Sequence, residues 1–201
     1  FQPTSHPFGV CFSGGGARSL SASLGQMRGL IASGLLESVG AISAVSGGSW
    51  FATIYSYAPL SIDEQTLLGP ILQPEEITQQ NLAQIDPQCI GSPLLDATTA
   101  NFSSIKNELV EAISRSESQA FNRLYARLLN ELLLKPFELD DPDKFFTFNA
   151  ESLARILTQN PTLSANNFYI MRPNRPFLIA GATQLYPIGE NQGLHHFEFS
   201  P

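Results

Sequence analysis

Apolar runs and helical stripes alternate along the first part of the chain. Phe8-Gly9-Val10-Cys11-Phe12-Ser13 reads as a short buried strand that ends in a run of glycines. From about Ser19 to Ser33, Leu20, Leu24, Met27, Leu30 and Ile31 follow the i, i+4, i+7 rhythm of one buried helical face, and Gly34 is placed to stop that helix. Ala41-Ile42-Ser43-Ala44-Val45 is a second apolar strand, and Ser49 to Tyr57 reads as a helix that ends before Pro59. Strand, turn, helix, strand, turn, helix is the pattern of a parallel sheet with right-handed crossovers. The expected fold class is therefore α/β, with a central, mostly parallel sheet flanked by helices.

The pattern changes after Pro59. Leu60 to Pro93 is interrupted by Pro70, Pro74, Pro87 and Pro93. Ser103 to Leu134 then reads as one long helical pattern, with Ile105, Leu109, Ile113, Phe121, Leu124, Leu128 and Leu132 on a shared face and Glu108, Glu111, Arg115 and Glu117 mostly outside. Residues 60–136 fit a helical cap inserted between core units, or ordinary core-packing helices. Pro136 to Asp143 is a turn-rich linker. Phe145-Phe146-Thr147-Phe148 is a short apolar strand or anchor, and Ala150 to Gln159 a helix. Pro176 to Thr183 reads as a core strand, and His196 to Ser200 alternates like an edge strand.

Composition narrows the class. The chain has 201 residues, of which 43% are hydrophobic and 14% charged, enough for one domain with a real core. A net charge of −7 argues against nucleic acid as a partner and against purely electrostatic docking on an anionic membrane. Cys11 and Cys89 are too few for a disulfide framework and lack metal-site spacing; Cys11 is expected to be a buried thiol. No run is long enough to span a bilayer, and the N-terminus lacks the form of a signal peptide. On these grounds the expected location is the cytoplasm or a peripheral membrane surface.

The candidate chemistry lies in two early turns. Ser46 follows an apolar strand in Ala44-Val45-Ser46-Gly47-Gly48, where a sharp turn flanked by small residues would lift its hydroxyl above the sheet edge. The helix that follows aims its N-terminus at the same place, which favours developing negative charge. Three consecutive glycines, Gly14-Gly15-Gly16, are costly to order and are expected where N–H groups face an anion; a tight turn without a ligand is the alternative. The run ends in neither Gly-Lys-Ser/Thr nor the spaced dinucleotide fingerprint. Arg18, in the first turn of the next helix, opposes the helix dipole and so is not placed for helix stability; it suits a phosphodiester head group, or an ion pair to a nearby carboxylate. His6, His195 and His196 read as surface histidines, and Asp63, Asp86 and Asp96 as capping residues.

Ser13-Gly14-Gly15-Gly16-Ala17-Arg18, Val45-Ser46-Gly47-Gly48-Ser49-Trp50 and the 28-residue interval from Arg18 to Ser46 together resemble the catalytic domain of the cytosolic phospholipase A2 and fungal lysophospholipase family, related to patatin. Pro176 to Thr183, Leu185-Tyr186-Pro187 and Phe197-Glu198-Phe199-Ser200-Pro201 resemble later segments of that family, while the middle of the chain matches only loosely. The resemblance implies a patatin-like fold and a Ser–Asp dyad without histidine. Ser46 matches the nucleophile, Gly15 and Gly16 the oxyanion-hole glycines, and Arg18 the residue that steadies the substrate phosphate, with Gly14, Gly47 and Gly48 supporting the turns. The family's aspartate follows the Phe-Glu-Phe-Ser-Pro segment, beyond Pro201, so the chain is expected to be the N-terminal part of one catalytic domain, with the base on a second chain or a C-terminal segment.

The expected substrate is a phospholipid or lysophospholipid, met transiently at a membrane surface, and neither a cofactor nor a metal is called for. Two other classes remain. An acyltransferase with a Ser–His pair requires His195 or His196 within reach of Ser46. A non-catalytic lipid-binding module requires lipid binding without Ser46 chemistry.

Overall fold

A computed structural model describes residues 8–96, 103–115, 118–185 and 194–200. His6, Tyr186, Pro187 and Pro201 lie outside that set, as does Glu117. The chain divides into two compact units, one of residues 1–58 with 143–201 and the other of residues 59–142.

The first unit is α/β. Strand β1 (Phe8–Phe12), helix α1 (Ala17–Ala32), strand β2 (Val39–Val45) and helix α2 (Gly47–Tyr57) follow in the order that the apolar pattern predicts. Helix α1 stops as expected. Gly34 lies in the left-handed region, its N–H donates to the Ile31 carbonyl, and the Leu35 N–H donates to the Leu30 carbonyl. Leu20, Leu24 and Met27 of α1 are buried, while Ile31 is exposed, so the buried stripe is shorter than the periodicity predicts.

The second unit consists of short helices: α3 (Glu64–Leu68), α4 (Gln79–Leu82), α5 (Ser92–Asp96), α6 (Ser103–Ser114) and α7 (Ser118–Leu129), the last continuing as a π turn over Asn130–Leu134. The predicted single helix over Ser103–Leu134 is thus at least two helices. Ile113, assigned to a shared buried face, is exposed. Asp63 caps α3 by accepting from the Thr66 N–H at 2.8 Å, and Asp86 accepts from the Gln88 N–H in a turn. This unit carries thirteen of the eighteen acidic residues and five of the eleven basic ones.

Back in the first unit, strand β3 (Phe145–Thr147), helix α8 (Ala150–Gln159) and strand β4 (Phe168–Ile170) form a small parallel βαβ unit. Strands β5 (Phe177–Leu185) and β6 (Leu194–Phe199) complete the main sheet in the order β1-β2-β5-β6. β1, β2 and β5 are parallel, and β6 is antiparallel to β5. β6 is the edge strand that its alternation predicts, and it is exposed along its whole length.

One face of the sheet carries Phe12, Ile42, Ala44 and Leu178, all buried. Phe12 meets Phe51 of α2 edge-on at 5.4 Å, and Phe51 stacks on Tyr55 at 5.7 Å. Arg175 tightens the same region: its guanidinium lies 3.7 Å from the Tyr55 ring centre and donates to the Tyr55 carbonyl. Successive strand residues point to opposite faces, so Cys11, Ser43 and Val45 emerge on the other face and are exposed. Cys11 is therefore not the buried thiol expected from its apolar neighbours; Cys89, in the second unit, is buried.

Candidate active site

Ser46 sits where β2 ends and α2 begins. Its backbone has φ 53° and ψ −124°, a conformation rare for any residue with a side chain. The residue is exposed, and its carbonyl accepts the first hydrogen bond of α2, from the Trp50 N–H at 3.1 Å. The hydroxyl does not cap its own helix. The turn thus presents the side chain outward instead of folding it back onto the N-terminus.

The glycine run lies against this turn. Gly16 caps α1 at φ 63° and ψ −141°, and Gly15 also has positive φ, at 143°. A methyl group built on Gly47 would lie far inside contact distance of the Gly16 carbonyl oxygen, and one on Gly48 would be 2.7 Å from the Phe12 carbonyl oxygen. The two turns therefore meet main chain to main chain, which only glycine permits. A methyl on Gly14 would be 3.2 Å from the Ser46 Cβ and 3.7 Å from its Oγ. Of the three glycines, Gly14 is thus packed directly on the serine. The buried Ser19 hydroxyl pins the other side of the run by donating to the Ser13 carbonyl.

Two helices begin at this junction. The N–H groups of Ala17, Arg18 and Ser19 precede the first intrahelical bond of α1, which runs from Leu20 to Gly16, and those of Gly47, Gly48 and Ser49 precede that of α2. Neither helix has an acidic residue in its first turn, so nothing in the sequence of those turns offsets the positive ends. Arg18 is exposed, and among the described residues its guanidinium has neither an ion-pair nor a hydrogen-bond partner. The carboxylate partner allowed by its sequence is not found there.

The structure brings Ser46, Gly14, Gly16, Gly47 and Gly48 together and puts Arg18 on the helix that starts at Gly16. Among the described residues no histidine is hydrogen-bonded to the serine. His196 pairs with Glu198 of its own strand at 2.8 Å, and among the described residues the Ser46 hydroxyl has no hydrogen-bond partner. Nor do the described residues gather three or more His, Cys, Asp or Glu side chains as a metal would need, and no helix among them is long and apolar enough to cross a membrane.

The sequence reads Gly47 as turn support that lets a substrate approach the backbone, not as an oxyanion donor. Its N–H, next after the serine at a helix start, is also a candidate oxyanion donor. The Ser13–Ser19 bond was missed; an i, i+6 serine pair flanking a glycine run was its only signal. No family model matches the chain, and no solved structure matches it significantly.

Proposed function

We propose that the chain carries the nucleophile of a serine acyl hydrolase of the patatin-like phospholipase class, acting on phospholipids or lysophospholipids. The observation that carries this reading is the backbone of Ser46, held at φ 53° and ψ −124° with Gly47 seated on Gly16. Strain of this kind persists only where the surroundings over-determine it, and it concentrates at functional sites.

In this reading the Ser46 Oγ attacks the acyl carbonyl carbon while its proton passes to an aspartate, which the family resemblance places in an element after Phe197–Pro201. The carbonyl electrons move onto oxygen, and N–H groups at the paired turns stabilise that oxyanion. Gly15 and Gly16 fill this role in the family, and Gly47 joins them here. The carbon–oxygen bond to the lysolipid or glycerol alcohol then breaks, and the alcohol leaves with the proton. Water, deprotonated by the same aspartate, cleaves the acyl-enzyme. Arg18 holds the phosphate.

An alkyl fluorophosphonate tests the proposal on the full-length protein. Intact-mass spectrometry should show one adduct, and Ser46→Ala should abolish both the adduct and ester hydrolysis, a loss of about 10⁴-fold or more. An adduct or hydrolysis that survives in Ser46→Ala overturns the assignment. The unpartnered hydroxyl also favours a second reading, a lipid-binding module without catalysis; lipid binding with no adduct would select it.

A further inference from the structure

We infer that the side of α2 running on from Ser46 holds the substrate's aliphatic chain and measures its length against the Tyr57–Phe146 aromatic pair. This rests on the acyl-hydrolase reading above.

At about 100° per residue, positions seven and eleven beyond Ser46 return to within about 20° of its direction around the helix. Those positions are Thr53 and Tyr57. Most of α2 is closed off, with Phe51, Ala52, Ile54, Tyr55 and Ser56 buried, whereas Trp50 and Thr53 are half-open. The open stripe thus runs from Ser46 past Trp50 to Thr53.

A cavity of about 280 Å³ opens on that stripe and lies wholly within the first unit. Thr53 and Tyr57 form its helical wall, Leu178 and Ala180 its sheet wall, and Phe145 and Phe146 its aromatic wall, with Phe199 and Ser200 on the remaining side. No charged side chain lines it, so it suits hydrocarbon and not a head group. Its far end is marked by Tyr57, whose ring meets Phe146 edge-on at 4.7 Å. The Tyr57 hydroxyl is buried and has no hydrogen-bond partner among the described residues.

Volume and length bound the occupant from two sides. A dry cavity of about 150 Å³ takes the six carbons of benzene, so this one takes about ten to twelve. Along the helix axis Tyr57 lies about 16 Å from Ser46. An extended chain covers that distance in about thirteen bonds, or about fourteen carbons, at roughly 1.2 Å per bond. The proposed ligand is therefore a medium-length acyl chain, with longer chains meeting the aromatic pair.

The test is a series of p-nitrophenyl esters from butanoyl to hexadecanoyl, hydrolysed by the full-length protein. We expect kcat/KM to rise about three- to fourfold per methylene up to about twelve to fourteen carbons and then to fall. Ala180→Leu should lower the dodecanoyl-to-butanoyl ratio at least about tenfold, and Phe146→Ala should move the optimum to longer chains. Calorimetric binding of dodecanoate to Ser46→Ala supplies a readout free of catalysis. Hydrolysis with a flat profile that neither variant alters overturns the chain site and leaves the hydrolase standing. If no ester is cleaved and no fluorophosphonate reacts, the hydrolase reading fails. Dodecanoate binding that Ala180→Leu weakens would then still support the chain site, and absence of binding would overturn it.

Discussion

The turn at Ser46 and the helix end at Glu138 both place a non-glycine residue at positive φ, yet they do different work. Glu138, at φ 56° and ψ 31°, lies in the left-handed helical well and ends a short helical turn, its N–H donating to the Lys135 carbonyl at 3.1 Å. That is a stop signal, and the local hydrogen bond offsets its cost. Ser46 shares the sign of φ, but its ψ of −124° lies far from that well. It is held by distant partners: parallel pairing of β2 with both β1 and β5, and the seat of Gly47 on Gly16. Where strain is relieved locally it punctuates the chain; where remote packing imposes it, it presents a side chain.

Gly47→Ala should break this arrangement most severely. The added methyl has no room beside the Gly16 carbonyl, so denaturant unfolding should show a loss of about 3 kcal/mol or more. A near-neutral result would mean that the two turns do not constrain each other. Replacement of each strained residue by glycine sharpens the contrast. Ser46→Gly should stabilise the protein by about 1–2 kcal/mol while removing the nucleophile, and Glu138→Gly by less than about 1 kcal/mol. Equal gains would erase the distinction.

Arg18→Ala should reduce kcat/KM for a phospholipid about tenfold more than for a neutral ester, close to 1.4 kcal/mol of selectivity. Equal losses on both substrates would assign Arg18 a structural part. The smallest effect belongs to Tyr57, whose burial holds its phenol neutral and raises its pKa above the usual 10. Its unfolded form ionises near pH 10 and binds fewer protons than the folded form, so stability falls as pH rises beyond that point. Tyr57→Phe should remove that part of the alkaline loss, read as a shallower decline of the urea midpoint between about pH 9.5 and 11. Unchanged alkaline behaviour would show that the hydroxyl is not desolvated.

Much of the frame was legible because it is local. Apolar runs mark β2 and β5, Gly34 marks the end of α1, and the predicted helix Ala150–Gln159 appears with the same bounds, capped by Asn149 accepting from the Ser152 N–H at 2.8 Å. Other features depend on contacts remote in sequence. β4 is only three residues long and owes its strand character to pairing with β3. Cys11 looked buried because its neighbours are apolar, but alternation turns it to the uncovered face. Helix α6 ends at Ser114 and α7 begins at Ser118, and serines at these bounds weaken a helix that the apolar spacing alone would continue. Within the site, the residue types and the sharp turn at Ser46 were readable, while the seat of Gly47 on Gly16 was not, since the two lie far apart in sequence.

The junction of Gly47 with Gly16 also bears on how the site tolerates change. A joint made of main chain has no rotamers to lose and no side chain whose replacement would loosen it. Alignment of the serine with the paired helix starts is then insensitive to most substitutions around it, as a mortise holds whatever the grain of the timber. Neighbouring side chains are left free to vary with the substrate, and the burden of invariance falls on two residues that have no side chain at all.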